Sequence, residues 1–190
     1  MNREALEHLL RAAAALTGES TFYVVGSAAI LPSLPPNATV PEVVVRSREA
    51  DLIPASGSTR SIDLIDGALG LDSTFDGTFG YYADGVDLST VSYAPEGWRD
   101  RALRFETEAT GGAVGLCMEP HDLVIAKLCA GREKDLEFVR ALLAAETVTS
   151  DVLAERLRAV NAPETVLDVA RQRLRAYANA GESKRLEPGK

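Results

Sequence analysis

Two short sequence patterns place polar groups where they could do chemistry. The first is Gly26-Ser27, which directly follows the apolar run 22–25. A glycine at a strand-to-helix turn lets an anion approach the backbone, where free N–H groups and the serine hydroxyl can bind it. The second is Glu49-Ala50-Asp51, whose alternation puts two carboxylates on one face of a strand. Paired carboxylates of this kind can hold one or two Mg²⁺ ions against a triphosphate.

Each pattern also has an ordinary structural interpretation. Gly-Ser turns are common in proteins, and alternating acids more often lie on the solvated face of a sheet. The occurrence of both patterns in this order in one chain favours a combined anion and metal site.

Other kinds of active site lack the residues that they need. The sequence contains no Gly-x-x-x-x-Gly-Lys-Ser/Thr loop, no Gly-x-Ser-x-Gly elbow and no His-Glu-x-x-His motif. Its two histidines, His8 and His121, are far apart in sequence. The pair Gly111-Gly112 indicates a hairpin turn rather than a nucleotide loop. Zinc catalysis and serine hydrolysis are therefore not expected.

The composition is that of a folded globular protein. The chain has 190 residues, of which 46% are hydrophobic and 25% charged, and this excludes a disordered or fibrous protein. Twenty Lys and Arg residues against 28 Asp and Glu give a formal net charge of −8. We therefore expect no general affinity for polyanions, so RNA binding would need a local basic patch. Cys117 and Cys129 are expected to be small buried side chains rather than a disulfide pair.

The sequence predicts neither a membrane segment nor a secretory signal. The uncharged stretch 21–37 is broken by Gly26 and three prolines. At the N-terminus, charged residues precede any apolar block, so the basic-then-apolar order of a signal is missing. These patterns predict a cytoplasmic protein.

Arginines near the C-terminus form the candidate basic patch. They are Arg156, Arg158, Arg171, Arg173 and Arg175. Acidic residues interleave with them, so solvated helix faces are the favoured alternative. Trp98, which has three arginines close by in sequence, would either stack on a base or anchor a turn in the core.

Periodicity and capping residues predict the elements that carry these groups. We expect a helix from Asn2 to Gly18, a strand at 22–25, a short helix after Ser27, a β-rich segment at 43–53 and a capped helix at 58–69. The stretch 72–87 has so many turn formers that it indicates an irregular loop, either functional or merely connecting. Short strands are expected at 88–93, 103–107 and 113–118, and helices at 120–130, 133–146, 150–160 and 163–179. The polar tail after Gly181 is expected to fray.

This order of elements predicts an α/β (α+β) fold, with a mixed β-sheet, flanking helices and a helical C-terminal third. We expect a core domain at 1–118, a helical region at 119–180 packed on that core, and a flexible tail at 181–190.

These patterns resemble the signature of the polymerase-β-like nucleotidyltransferases, a Gly-Ser turn followed by an acid-x-acid strand. The likeness is closest to a bacterial toxin branch of the AbiEii and MenT type, in which an Arg-x-Ser-x-Asp-x-Asp strand precedes a helix with a lysine and an Arg-x-x-Asp segment. The corresponding segments here are 46–51, 122–128 and 132–136. Glu49 stands where that family usually has Asp. The nucleotidyltransferase fold is what this resemblance implies for most of the chain.

The resemblance also implies a role for each matching residue. Gly26 and Ser27 would bind the β and γ phosphates, and Ser47 is a further nucleotide-binding candidate. Glu49 and Asp51 would coordinate Mg²⁺. Lys127 would neutralise charge on the leaving pyrophosphate, and Asp135 matches the late acid of the family.

Two of these assignments have open alternatives. The third metal or base carboxylate would be Glu106 or Glu108, and Glu106 is favoured because it lies further inside the expected strand. Lys127 and Asp135 could equally form an inter-helix salt bridge.

The implied activity is Mg²⁺-dependent transfer of an NMP from an NTP to an acceptor hydroxyl. The resemblance points to the tRNA 3′ end as acceptor and to a toxin that has an antitoxin protein as partner. Two alternatives stay open: a transferase that acts on a small molecule or a protein hydroxyl, and a nucleotidyltransferase-like scaffold without catalysis that serves as a binding or regulatory partner.

Overall fold

One mixed β-sheet organises the N-terminal part of the chain. The structure, a computed structural model, describes residues 1–35, 42 and 46–186. The strands are β1 (Thr21–Val25), β2 (Glu49–Pro54), β3 (Tyr82–Gly85), β4 (Leu103–Phe105) and β5 (Val114–Cys117), in the order β3-β2-β1-β5-β4. Strand β1 runs antiparallel to β2 and parallel to β5, β2 runs parallel to β3, and β4 runs antiparallel to β5.

The sheet belongs to the first of two compact units, which consists of Met1–Ser92 and Arg99–Glu119. Its helices are α1 (Arg3–Thr17), α2 (Thr59–Leu69) and α3 (Thr74–Phe79). Helix α1 begins where the Asn2 side chain accepts a hydrogen bond from the Ala5 N–H, and it ends at Gly18 in the left-handed region. Its buried Leu10 packs on β5, where a Cβ at Gly115 would lie 3.0 Å from the leucine.

Helix α2 packs just as closely on the edge strand β3. A Cβ at Gly85 would lie 2.2 Å from the backbone oxygen of Ile62, so only glycine allows the strand and the helix to approach this far. Ser58 caps α2 by accepting a hydrogen bond from the Ser61 N–H. The close contact of α2 with β3 at Gly85 helps to hold β3 beside β2.

The second unit is helical and consists of Tyr93–Trp98 together with the chain from Pro120 onward. Its helices are α4 (Pro120–Ala130), α5 (Glu133–Ala144), α6 (Ser150–Leu157) and α7 (Glu164–Leu186). The segment before Trp98 joins this unit through a hydrogen bond of 2.8 Å from Glu96 N to the Ala159 carbonyl. Trp98 is buried, as expected of an anchor at this turn.

The predicted fold class is confirmed, with a mixed sheet, flanking helices and a helical C-terminal third. Both cysteines are free and buried, and burial raises the pKa of Cys117 to about 12 and that of Cys129 to about 11. Along the described residues, we find no helix with the length and apolar character needed to cross a bilayer.

The prediction of an irregular loop at 72–87 is wrong, because this stretch contains α3 and β3. Helix α3 starts at the Ser73 cap, which accepts from the Asp76 N–H, and ends at Gly80 in the left-handed region. Strand β3 has only four residues and pairs with β2. The turn formers thus cap a short helix and flank a short strand that pairing stabilises.

Other boundaries also differ from those expected. Residues 88–91 form a 3₁₀ helix rather than a strand, since Asp87 caps it by accepting from the Ser89 N–H. Another 3₁₀ helix, Ser27–Ser33, follows β1. Within the predicted β-rich segment 43–53, strand β2 begins only at Glu49. Residues 43–45 of that segment lie outside the described part of the chain. Helix α7 continues through the polar stretch after Gly181 to Leu186.

Replacing Gly85 by Ala should weaken the packing of β3 on α2. The new methyl group would overlap the Ile62 carbonyl, so we expect the free energy of unfolding to fall by about 1–3 kcal/mol. The matched control is Gly67→Ala on α2, where a Cβ meets nothing within 4 Å and the higher helix propensity should be neutral or stabilising. Urea denaturation of both variants measures this, and equal stabilities would contradict the packing argument.

Candidate functional site

The Gly26-Ser27 turn lies against the carboxylate of Asp51. Asp51 is opposite Val25 in the β1–β2 pair, directly before the turn. Gly26 has φ of 65°, and a Cβ there would lie 1.9 Å from Asp51 Oδ2. The structure therefore brings Gly26, Ser27 and Asp51 together at one corner of the sheet. Position 26 requires glycine because its φ is positive and because a Cβ would overlap the Asp51 carboxylate.

Glu49 and Asp51 lie on the same face of β2. Both are half-buried, and the residue between them, Ala50, is fully buried on the opposite face. Glu49 Oε2 accepts a hydrogen bond of 3.1 Å from the Tyr82 hydroxyl on β3. The pKa of Tyr82 is raised to about 12, mainly by burial and further by the hydrogen bond to Glu49 and by the charge of Glu49. The phenol therefore stays protonated at neutral pH.

Ser47 precedes β2 and contacts the backbone of Glu49. Its hydroxyl is 3.4 Å from both the N–H nitrogen and the carbonyl oxygen of Glu49. Ser47 thus borders the start of the acidic strand. Its expected role in nucleotide binding stays a prediction.

A third carboxylate, Asp84, joins this face from β3. Asp84 is the register partner of Asp51 in the parallel β2–β3 pair. Burial and then the charges of Glu49 and Asp66 raise the pKa of Asp84, although a backbone hydrogen bond from Leu71 opposes the shift. The sequence does not single out this residue, because the turn formers of 72–87 predict an irregular loop. The alternation of polar and apolar side chains at Tyr82, Ala83 and Asp84 is the sequence signal for a strand at this place.

Glu106, the expected third carboxylate, lies at the other side of the sheet. It follows β4, which is separated from β2 by β1 and β5, or about 14 Å at the usual strand spacing. Its carboxylate bonds to Arg104, at 3.1 Å from Nε. Glu108, the alternative, begins a 3₁₀ helix beyond the same strand. The structure therefore does not place either residue beside Glu49 and Asp51.

Glu49 and Asp51 stay the candidate carboxylates for a cation. Within residues 1–35, 42 and 46–186, no group of three or more His, Cys, Asp or Glu side chains is arranged to hold a metal ion. Mg²⁺ is commonly held by one or two carboxylates, with the remaining ligands supplied by water and substrate phosphates. The chemistry of Glu49 and Asp51 is compatible with that kind of site, and their role as Mg²⁺ ligands stays a prediction.

A cavity of about 300 Å³ lies further along the same strands. Tyr23 and Ile53, which are register partners, contribute to its wall. Ile53 is two residues beyond Asp51 and therefore on the same face of β2. Leu88 and Arg99 border the cavity as well. Its size is at the lower end of the range for small-molecule sites.

Lys127 and Asp135 form an ion pair between α4 and α5 in the second unit. Lys127 Nζ donates to Asp135 Oδ1 at 2.9 Å and lies 4.7 Å from the centre of the Phe138 ring. Arg132 Nε donates to the other oxygen, Oδ2, at 2.6 Å. The side chain of Asp135 is completely buried and that of Lys127 is 11% exposed. This is the inter-helix salt bridge offered by the sequence, and a role of Lys127 at phosphate stays a prediction.

The arginines of the C-terminal helices make several internal contacts. Arg171 binds Glu164 at 2.5 Å and Asp168 at 2.8 Å, and Arg156 lies 3.3 Å from the buried Asp122. Arg173 donates to the Leu128 carbonyl at 3.0 Å. These contacts favour the solvated and paired alternative over a continuous basic face.

The sequence model of a family described as nucleotidyltransferases of unknown function (DUF6036) matches residues 4–180. No curated protein and no solved structure matches the chain.

Replacing Asp135 by Asn should destabilise the second unit strongly. The change leaves the Lys127 ammonium without its counter-charge in a buried position, which typically costs about 3–5 kcal/mol. The control is Arg132→Gln, because the Arg132 side chain is 65% exposed and its removal should cost at most about 1 kcal/mol. Chemical denaturation at pH 7 tests this, and an Asp135→Asn protein as stable as wild type would contradict it.

The stability difference should also depend on pH in a defined direction. Burial alone would raise the pKa of Asp135, but hydrogen bonds and charges from Arg132 and Lys127 lower it below its ordinary value. Because the folded-state pKa is depressed, the stabilisation is fully present above about pH 4 and is lost as pH falls through the lower value. The gap between wild type and Asp135→Asn should therefore close on acidification.

Proposed function

The chain belongs to the family of nucleotidyltransferases of unknown function, and on that premise we propose that it moves an NMP from an NTP to an acceptor hydroxyl in a Mg²⁺-dependent reaction. The observation that carries the proposal is the packing of the Asp51 carboxylate on the Gly26-Ser27 turn. This packing places a candidate ligand for the cation beside the turn whose N–H groups and Ser27 hydroxyl would bind the phosphate.

The chain's own side chains would hold and orient the triphosphate. The free backbone N–H groups of the turn and the Ser27 hydroxyl would donate to the β or γ phosphate. Glu49 and Asp51 would hold Mg²⁺, which when bound supplies positive charge that orients the phosphates and offsets their negative charge. The cavity beyond Ile53 leaves room on the same face for an organic group of the NTP or the acceptor.

We assign the third carboxylate to Asp84 rather than to Glu106. Asp84 is beside Asp51 in the sheet, whereas Glu106 is on the far side of β1 and β5. In the proposed reaction the acceptor hydroxyl oxygen attacks the α phosphorus and the bond to the β phosphate breaks. Pyrophosphate leaves, and Asp84 accepts the proton of the hydroxyl.

We propose the tRNA 3′ end as the acceptor, with a toxin role and an antitoxin partner. The resemblance of segments 46–51, 122–128 and 132–136 to the toxin branch is the support for this choice. Incubation with each α-labelled NTP, Mg²⁺ and total tRNA tests it, and label in tRNA is the expected result. Label in a protein or small molecule would redirect the acceptor, and no NTP consumption with any acceptor would favour a non-catalytic scaffold.

Replacing Asp51 by Asn should abolish transfer without unfolding the protein. Loss of a metal-binding carboxylate should lower the rate by about 10²–10³-fold or more. The melting temperature should be unchanged or higher, because the change removes repulsion among clustered acids. Transfer at the wild-type rate in this variant would exclude Asp51 as a ligand.

Asp84→Asn and Glu106→Gln form a matched pair that tests the third carboxylate. We expect Asp84→Asn to reduce kcat by about 10²–10⁴-fold, the usual contribution of a positioned base, and Glu106→Gln to have no effect. Steady-state release of pyrophosphate measures both. The opposite pattern would return the role to Glu106.

A further inference from the structure

Tyr82 contacts the candidate metal ligand that has the longest side chain. It is the register partner of Glu49 in the β2–β3 pair, and its hydroxyl donates to Glu49 Oε2 at 3.1 Å. Tyr82 is half-buried at the edge of the acidic face. The bond leaves the second oxygen of Glu49, Oε1, for another partner.

Glu49 needs such a contact more than its neighbours do. Asp51 and Asp84 have one methylene fewer, and Asp51 is confined by the Gly26 backbone. A glutamate has an additional rotatable bond and loses more conformational entropy when it is ordered. A ligand that samples several rotamers binds a cation less tightly than one held in place.

Tyr82 is itself held by a chain of contacts that begins in α3. The Arg48 guanidinium lies 5.9 Å from the centre of the Tyr82 ring. Arg48 donates to the Gly80 carbonyl at 2.8 Å and forms an ion pair with the buried Asp76. Helix α3 thus restrains Arg48, Arg48 covers the ring, and the ring hydroxyl restrains Glu49.

We infer that Tyr82 is a positioning residue that holds the Glu49 carboxylate in the orientation in which it binds the divalent cation. The inference rests on the proposed function, since it concerns the same site. It extends that function by giving Tyr82, Arg48 and Asp76 a shared purpose that neither the sequence patterns nor the family match assigns.

Cation binding by Tyr82→Phe tests this role without any acceptor. The probe is Mn²⁺, and its dissociation constant is measured on the full chain by electron paramagnetic resonance. Removing an outer hydrogen bond to a metal ligand typically weakens binding by about 10–100-fold, and we expect a loss near the lower end. The matched control is Tyr81→Phe: the adjacent tyrosine points to the opposite face, where it bonds to His8 Nδ1 at 2.9 Å, and its loss should leave Mn²⁺ affinity unchanged.

A double-mutant comparison separates positioning from a direct effect of the phenol. A shorter carboxylate at position 49 cannot reach the hydroxyl, so Tyr82→Phe should change Mn²⁺ affinity by less than about 2-fold in the Glu49→Asp background. An equal loss in both backgrounds would show that Tyr82 acts independently of Glu49 and would overturn the inference. If Glu49→Asp alone removes binding, the comparison of Tyr82→Phe with Tyr81→Phe decides.

The possible results separate failure of the positioning role from failure of the proposed function. A wild-type chain that binds Mn²⁺ and consumes NTP, with Tyr82→Phe equal to it in both respects, overturns the positioning role alone. A wild-type chain that neither binds Mn²⁺ nor consumes NTP overturns both. Weaker binding in Tyr82→Phe with an unchanged melting temperature supports the role, because a merely structural tyrosine would lower stability instead.

Discussion

The contact between the Asp51 carboxylate and the Gly26 backbone is the constraint on which the candidate site depends. Strand β1 ends opposite Asp51, and the chain then turns at a glycine with φ of 65°. Any side chain at this position would occupy the place of the carboxylate. The absence of one Cβ thus lets the turn, the Ser27 hydroxyl and an acid share one corner of the sheet.

The parallel pairing of β2 with β3 determines the rest of the acidic face. It sets Glu49 opposite Tyr82 and Asp51 opposite Asp84. Carboxylates gathered in this way make one another's ionisation less favourable, which is why the charge of Glu49 contributes to the raised pKa of Asp84. A bound cation would relieve the same repulsion. The strand pairing that stabilises the sheet therefore also gathers these carboxylates on one face.

The helices of the second unit use charge for internal support. Asp135 is fully buried between two cations, and Asp122, also buried, has Arg156 beside it. Such pairs are specific in geometry, and loss of one partner is costly because the other is left buried and charged. Arg171 is paired with Glu164 and Asp168, and Arg173 donates to the Leu128 carbonyl, so these arginines also serve contacts within this unit.

The sequence by itself determined the elements that have local signals. Asn2 and Gly18 marked the ends of α1, and strand alternation placed Glu49 and Asp51 on one face whatever their neighbours. Only the tertiary structure decided which third acid lies beside them, because strand order depends on pairing between distant segments. Strand β3 has four residues between turn formers, and its stability comes from β2 and from the close approach of α2 at Gly85. The local sequence pattern carries no signal of such contacts. It therefore does not single out Asp84 and favours Glu106 instead.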